Sequence, residues 1–167
     1  MSEIKGMLLR IPRLEDGMDV FRLIADCPPL DTNSSYCNML QCSHFANTSV
    51  VAERESGVVG FISGYTIPER PDTLFIWQVA VSEQARGLGL ASRMLAHIIA
   101  RPQCHDISQL ETTITEKNKA SWALFKSFAK AMNADFQSSV WMDKDAHFGG
   151  LRDSETLVRI GPFNSHS

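Results

Sequence analysis

A strand, a glycine turn and a helix follow one another between Leu74 and Ala100. The run Leu74–Val81 is apolar and rich in β-branched and aromatic residues, which is typical of a strand. The turn Ser82–Gly89 contains two glycines, and apolar residues recur at helical spacing from Leu88 to Ile99. The first N–H groups of such a helix have no partner within it, and its dipole adds partial positive charge there. The stretch therefore predicts a sheet with flanking helices and a candidate anion site at the turn.

The glycines alone fit more than one interpretation. Gly87 and Gly89 lack a Cβ, so a phosphate can approach the main chain closely, but the same residues also suit a turn without a ligand. A Walker loop is excluded because no Gly-Lys-Ser or Gly-Lys-Thr follows. A dinucleotide fingerprint would need Ser92 to replace the third glycine, with Glu111 as the ribose ligand. This alternative, a nicotinamide-binding domain, is weaker because the motif lies in the middle of the chain.

Composition narrows the class of protein. With 167 residues, 44% hydrophobic and 21% charged, the chain is typical of one globular domain with a real core. The net charge of −3 argues against general nucleic-acid binding. We expect no membrane partner and no signal peptide, since no apolar run reaches the ~18 residues that a bilayer span requires. The four cysteines form no Cys-x-x-Cys pair, so we expect free thiols in a reducing cytoplasm instead of disulfides or a metal site.

The rest of the chain alternates between short strands and helices. Pro68 and Pro71 predict a loop before the central strand. Hydrophobic periodicity predicts strands over residues 7–11, 49–53, 58–65, 110–115, 135–139 and 156–160, and helices over 20–27, 36–44 and 118–133. We therefore expect a single α/β (α+β) domain over residues 1–167.

Two motifs lie in the matching structural context, one between the central strand and its helix and one at the start of a later helix. They are Gln84-x-x-Gly87-x-Gly89 and Asn118-x-x-Ser121-x-x-Leu124-Phe125. Together they resemble the GCN5-related N-acetyltransferase (GNAT) family. This resemblance implies a mixed, mostly antiparallel sheet with a splayed central strand pair and flanking helices. It also implies acetyl-CoA as co-substrate, no metal, and direct attack of an amine on the thioester.

The resemblance also implies which residues bind the cofactor. Family members bind the pantetheine arm along the exposed edge of the central strand, here at Val79 and Val81, whose side chains also suit the core. Asn118 matches a family residue that bonds this arm, and it is equally a natural N-cap. The side chains of Arg86 and Lys119 would add charge-assisted contacts to the pyrophosphate. The pyrophosphate itself is expected on the amides of Arg86, Gly87, Leu88, Gly89, Leu90 and Ala91.

Further segments between Leu8 and Phe163 resemble one branch of the family. They are Cys27–Tyr36, Trp77–Val81, Leu110–Thr113 and Arg159–Phe163. Members of this branch acetylate the γ-amino group of L-2,4-diaminobutyrate, whose product another enzyme cyclises to the osmolyte ectoine, and a homodimer is common in the family. Another small diamine or amino acid as acceptor, or a non-catalytic CoA-binding regulator, stays open. Substrate contacts are expected from Asp31 and Tyr36, in the segment where family members line the acceptor side. Trp77, Glu111 and Glu155 are further candidates for substrate contacts.

The reaction needs a proton acceptor, because only a neutral amine attacks and a free primary ammonium has a pKa near ~10.4. Glu111 is the first candidate for this base, although it could instead bind the substrate's ammonium or be an ordinary strand residue. Asp31 suits an amine but also a helix cap, and Trp77 could be a wall of the site or core. Glu155 and His147 could be delivered by the C-terminal loop or by a partner subunit.

The acid that protonates the departing thiolate cannot be carried over from the family. Its tyrosine is Phe125 here, and a phenyl ring has no proton to donate. Tyr36 or Ser121 could serve instead. The thiolate could also leave unaided, since thiols have pKa values near ~8.5.

Overall fold

The computed structural model describes residues 5–165, which form two compact units: residues 5–65 with 77–105, and residues 66–76 with 106–165. The helices are α1 (Gly17–Ala25), α2 (Ser35–Gln41), α3 (Leu90–Ile99) and α4 (Lys119–Ala131). The strands are β1 (Leu8–Arg10), β2 (Val50–Arg54), β3 (Gly57–Ile67), β4 (Arg70–Val81), β5 (Gln109–Ile114), β6 (Phe136–Met142) and β7 (Glu155–Ile160). Their order in the sheet is β1-β2-β3-β4-β5-β7-β6. β4 and β5 pair in parallel, and the pairs β1–β2, β2–β3, β5–β7 and β6–β7 are antiparallel.

The first unit is built on the apolar face of α1. Val20 and Ile24, one helical turn apart, belong to a buried cluster with Val51 of β2 and Phe61 of β3. Ser34 caps the next helix, because its hydroxyl oxygen accepts a hydrogen bond from the N–H of Cys37 at 3.1 Å. These contacts position α2 and the loop before it.

Arg10 links three elements of the first unit. Its guanidinium donates to both carboxylate oxygens of Asp16 at 2.8 Å and to Glu53 at 2.6 Å. Burial raises the pKa of Asp16, but hydrogen bonds from Arg10 and from the N–H of Arg13 outweigh burial and bring this pKa below its usual range. Asp16 therefore contributes to stability in its charged form.

The second unit contains the first part of β4, the strands β5, β6 and β7, and the helix α4. The parallel register of β4 with β5 runs from Thr73–Gln109 to Ile76–Thr112. Along β5 and β7, alternate side chains such as Leu110, Val158 and Ile160 are fully buried, as the two-residue period of a strand requires. The face with the opposite parity carries the charged side chains of Glu111, Glu155 and Arg159.

Several element boundaries differ from the sequence predictions; α1, for example, spans Gly17–Ala25 and not residues 20–27. β4 begins at Arg70, so Pro71 lies in the strand, not in a loop. α3 begins at Leu90, because Gly89 is left-handed at its N-cap, and Leu88 is 43% exposed in the turn. α2 ends at Gln41, short of the predicted end at residue 44. Among residues 5–165, none of the helices combines the length and the apolar character needed to cross a bilayer.

Candidate functional site

The segment Ser82–Ala91, here called the glycine turn, joins β4 to α3. Gly87 has a φ of +79° and Gly89 a φ of +72°, in the left-handed region that glycine adopts without strain. A Cβ at either position would meet no heavy atom within 4 Å. Backbone conformation, not lack of space, therefore requires glycine at both positions.

The glycine turn presents unpaired backbone amides. Within the described chain, the N–H groups of Gly87, Leu88 and Gly89 donate to no backbone acceptor. The first hydrogen bond of α3 runs from the N–H of Arg93 to the carbonyl of Gly89 at 3.2 Å, so the amides of Leu90 and Ala91 have no acceptor in their own helix. Converging amides at a helix N-terminus form an anion-binding geometry.

Arg86 differs from the sequence prediction. Its N–H donates to the carbonyl of Glu83 at 3.3 Å, so this amide is not available to a ligand. Its Nε donates to the carbonyl of Val81 at 3.1 Å, which also accepts from the Cys27 thiol at 3.4 Å. The available amides therefore begin at Gly87, and the carbonyl of Val81 is already used.

At the end of β4, one edge of the strand has no partner strand among residues 5–165. The N–H of Gln78 donates to the Ser63 hydroxyl at 3.1 Å, and that of Ser82 to the carbonyl of Val59 at 2.8 Å, so both point toward β3. Backbone groups alternate along a strand, so those of Val79 and Val81 point the other way. On that side the register with β5 ends at Ile76.

An aromatic cluster surrounds Trp77 within the first unit. The Trp77 ring is 39% exposed, and its centroid lies 6.0 Å from that of Tyr65 and 6.4 Å from that of Phe45. Burial raises the pKa of Tyr65. Sequence reasoning missed Tyr65 and Phe45, because neither belongs to a motif or to the strand that carries Trp77.

A buried cation fixes the loop that carries Phe45. Arg101 is 6% exposed and donates to the carbonyls of Asn47 at 3.0 Å and Ser49 at 2.6 Å. Burial lowers the pKa of Arg101, and burial together with the Arg101 charge lowers the pKa of neighbouring His97. This side chain restrains the 3₁₀ turn that directly follows Phe45.

The structure places two predicted acceptor residues at the surface of the first unit. Asp31 is exposed, and its carbonyl accepts from the Gln78 side chain at 3.2 Å. Gln78 in turn accepts from buried Gln41 of α2 at 3.1 Å. Tyr36, in the first turn of α2, is 70% exposed. The position of the Asp31 loop is thus set by a buried amide pair that sequence reasoning did not find.

Glu111, in the second unit, is bound by two arginines. It is 3% exposed, and both of its oxygens accept from Arg70, with Oε1 at 3.1 Å from Nη2 and Oε2 in contact with Nη1. Oε2 also accepts from Nη1 of Arg159 at 2.9 Å. This geometry makes Glu111 a poor candidate for the base, because a proton or ammonium would have to displace a guanidinium.

Glu155, unlike Glu111, lies in an environment that disfavours its charged form. It is half-buried at the start of β7 and accepts a hydrogen bond from the Thr113 side chain. Burial raises the pKa of Glu155 despite this hydrogen bond. Glu111, Thr113, Glu155 and Arg159 form what is here called the β5–β7 face, since these side chains share one parity on paired strands.

The start of α4 contains the remaining motif residues. Asn118 is the N-cap, as predicted, and its Oδ1 accepts from the N–H of Ser121 at 3.2 Å. Within residues 5–165 its amide N–H groups have no protein acceptor. Lys119 is exposed, and Phe125 is buried in the helix face.

The β6–β7 loop contains His147, whose Nδ1 accepts from the N–H of Asp143 at 2.7 Å. The backbone N–H groups of Ala146 and Asp145 donate hydrogen bonds to the Asp143 carboxylate. These hydrogen bonds, with that from Ala146 as the largest cause, lower the pKa of Asp143. In the part of the chain that the structure describes, no group of three His, Cys, Asp or Glu side chains is arranged to hold a metal ion.

Comparison with known proteins gives consistent matches. Residues 18–129 match the model of the acetyltransferase (GNAT) family. The L-2,4-diaminobutyric acid acetyltransferase of Methylotuvimicrobium alcaliphilum is 56% identical over 92% of this chain and 90% of its own length. That of Halomonas elongata is 44% identical over 98% of this chain and 85% of its own length. The diaminobutyrate acetyltransferase EctA from Paenibacillus lautus, solved with L-2,4-diaminobutyric acid and coenzyme A, is 38% identical, with a TM-score of 0.90 over 94% of this chain and 95% of that one.

Proposed function

This chain belongs to the acetyltransferase (GNAT) family, and on that premise we propose that it transfers the acetyl group of acetyl-CoA to the γ-amino group of L-2,4-diaminobutyrate. The substrate assignment is supported by relatives that carry this activity in their names and match this chain over nearly all of its length. It is also supported by a similar structure that contains both L-2,4-diaminobutyric acid and coenzyme A. The product, N4-acetyl-L-2,4-diaminobutyrate, is the precursor that ectoine synthesis requires.

Within residues 5–165 the amides from Gly87 to Ala91 donate to no backbone acceptor, and this run is the observation that carries the proposal. A pyrophosphate needs several N–H donors directed at one point, and a helix N-terminus adds partial positive charge. We propose that these amides hold the pyrophosphate, with the exposed guanidinium of Arg86 and the exposed ammonium of Lys119 as outer charges. When bound, the cofactor supplies an acetyl thioester, the activated acyl group of the reaction.

The pantetheine arm would find donors and acceptors on the chain beyond the pyrophosphate site. The unpaired edge at Val79 and the N–H of Val81 offer strand-like hydrogen bonds, while the Val81 carbonyl is already used by Cys27 and Arg86. The free amide N–H groups of Asn118 support the same role, since its Oδ1 alone serves the helix cap.

We assign the proton acceptor to Glu155 in preference to Glu111. A base that takes a proton from an ammonium works best when its pKa is raised toward the operating pH, which is the direction that burial gives Glu155. The oxygens of Glu111 are already occupied by Arg70 and Arg159. In this proposal Glu111 contributes by holding those arginines next to the acceptor.

Three side chains of the first unit are further candidates for the acceptor side of the reaction. The Asp31 carboxylate suits an ammonium group, and the exposed part of Trp77 suits the methylene carbons. Tyr36 is the candidate acid for the thiolate, because its hydroxyl is accessible and Phe125 has none.

We also propose a cytoplasmic homodimer. The four cysteines are free thiols, and a reducing compartment suits them. β6 is an edge strand with Val140 85% exposed and Trp141 45% exposed. An exposed apolar edge favours association with a second copy. Light scattering would give twice the 18.6 kDa chain mass, and Val140→Lys is expected to shift the mass toward the monomer.

The direct test is an acceptor screen with purified protein and acetyl-CoA. We expect thiol release with L-2,4-diaminobutyrate, and a product that NMR shows to be acetylated at the γ-nitrogen. Ornithine, lysine and 2,4-diaminobutyrate blocked at either nitrogen serve as comparison acceptors. Coenzyme A binding without thiol release from any amine would contradict catalysis and support a regulator. Turnover only with another amine would contradict the substrate assignment.

A further inference from the structure

The two arginines on Glu111 are not equivalent. Arg70 binds the carboxylate with both of its terminal nitrogens, a fork arrangement that neutralises the charge of Glu111. Asp72 further stabilises the charged form of Arg70, whose pKa is raised first by the hydrogen bond to Glu111. Arg159 adds a second positive charge through a single hydrogen bond, at 2.9 Å. The three side chains together therefore carry one uncompensated positive charge, and it belongs mainly to Arg159.

The guanidinium of Arg159 has the means to bind an anion. Its side chain is 41% exposed. A guanidinium has five N–H donors, and within residues 5–165 only Nη1 has a protein acceptor. The remaining donors keep the planar edge that matches a carboxylate. Glu111 holds Arg159 in place without saturating it.

Arg159 also lies on the same face of the same strand as Glu155. The two residues are four apart on β7, so their side chains share parity, and Thr113 and Glu111 bind them from the neighbouring strand. At a rise of ~3.3 Å per residue their Cα atoms are ~13 Å apart. An extended 2,4-diaminobutyrate separates its γ-nitrogen from its carboxylate carbon by roughly 5 Å, given bonds of about 1.5 Å. With hydrogen bonds of about 2.9 Å at each end the span is roughly 11 Å, which fits within the ~13 Å between the two Cα atoms.

We infer that Arg159 binds the α-carboxylate of the acceptor while Glu155 faces its γ-amino group, so that Arg159 determines the preference for an amino acid over a simple diamine. This inference rests on the proposed function, because it defines how the acceptor of that reaction is recognised. A diamino acid bound in this orientation presents its γ-nitrogen, and not its α-nitrogen, to Glu155. Arg159 thereby also accounts for which nitrogen is acetylated.

The test compares two acceptors that differ only in the carboxylate, L-2,4-diaminobutyrate and 1,3-diaminopropane. In Arg159→Gln we expect kcat/KM for diaminobutyrate to fall about 10- to 100-fold, the size of a lost charge-assisted contact. The value for diaminopropane should stay within about threefold of that for the unchanged protein, since no carboxylate contact is lost. Arg159→Lys, which keeps the charge but not the planar edge, should recover part of the loss. Arg22→Gln, an exposed arginine of α1, is the matched control and should change neither value.

An equal loss for both acceptors, or no loss for diaminobutyrate, would overturn the assignment of Arg159. Thermal denaturation of each variant separates these outcomes from misfolding, and Glu111 keeps Arg70 as its partner in Arg159→Gln. Calorimetric titration distinguishes this inference from the proposed function. Arg159-dependent binding of diaminobutyrate without any acetylated product would support the carboxylate site and refute the transferase. Acetylation of diaminobutyrate that is unaffected by Arg159→Gln would do the reverse.

Discussion

The glycine turn offers an anion mainly backbone amides, whereas the β5–β7 face offers side chains. The amides of Gly87–Ala91 are contiguous in the chain and are oriented by the two left-handed glycines and the start of α3. Glu111, Glu155 and Arg159 are brought together by strand pairing, with Arg70 from β4 as the neutralising partner. The turn therefore suits a ligand common to a whole family, and the face suits a ligand particular to one branch. Changes in the turn should affect the cofactor, and changes on the face should affect the acceptor.

The largest expected effect is on the face, at Glu155. Glu155→Gln removes the proton acceptor and should lower kcat by about 100- to 1000-fold, while KM for acetyl-CoA stays the same. In the unchanged protein the pKa of Glu155 is raised, so activity should fall as pH drops through a value above that of an ordinary glutamate. The measurement is a kcat profile against pH for both proteins.

Glu69→Gln, an exposed carboxylate of the β3–β4 turn, is the control for Glu155 and should leave the profile unchanged. If Glu155→Gln retained most of its kcat and its acid limb, the proton acceptor would have to be another group. The face would then retain only its binding role.

The next effect distinguishes a structural role of Glu111 from a catalytic role. Glu111→Gln leaves two neighbouring guanidiniums without their shared carboxylate, so the free energy of unfolding should fall by about 2 kcal/mol. This loss is smaller than for a fully buried ion pair, because both arginines are partly exposed. Denaturant unfolding measures this change. The kcat of the folded variant should fall less than that of Glu155→Gln, and a larger fall would return the base to Glu111.

A smaller effect is expected in the glycine turn. Gly87→Ala places a Cβ at a φ of +79°, which costs about 1 kcal/mol and should raise KM for acetyl-CoA about fivefold without changing KM for diaminobutyrate. Gly6→Ala is the matched control, because Gly6 has a φ of +76° and equally open surroundings. Equal KM changes for both substrates would break the division between turn and face.

The smallest effect concerns pH and the fold itself. Because the folded pKa of Asp16 is depressed, its contribution to stability is present above the unfolded value of about 3.9 and is lost as pH falls through the folded value. In Asp16→Asn the free energy of unfolding should therefore depend less on pH below about pH 4, and the difference from the unchanged protein should be about 1 kcal/mol or less. Denaturant melts at several pH values test this, and show whether the acid limb of activity is separate from acid unfolding. An unchanged slope would show that Asp16 is not the group responsible.

The glycine turn could be predicted from sequence because its parts are neighbours. The strand, both glycines and the helix start lie within one stretch, and within the turn itself the start of α3 and the amide of Arg86 differed. Both differences arise from local geometry: Gly89 caps the helix two residues later than the apolar spacing suggested, and a 3₁₀ turn uses the Arg86 amide.

The face could be predicted only in part. Glu111 and Glu155 were candidates from the sequence, but Arg70 and Arg159 lie 41 and 48 residues from Glu111, and no local pattern connects them. The pairing that joins them depends on register between strands. Sequence therefore indicated that Glu111 matters, but not that two arginines already occupy its oxygens. The buried position of Arg101 and the ring contacts of Tyr65 were missed for the same reason.

The most direct test of the account is one amide NMR titration of the ¹⁵N-labelled protein, first with coenzyme A and then with L-2,4-diaminobutyrate. We expect coenzyme A to shift the amides of Gly87, Leu88 and Gly89 far more than those elsewhere in the chain, because they donate to no backbone acceptor before binding. The later addition of diaminobutyrate should not change the chemical shifts of these amides. Amide signals of Gly87 and Gly89 whose chemical shifts do not change at saturating coenzyme A would contradict the account.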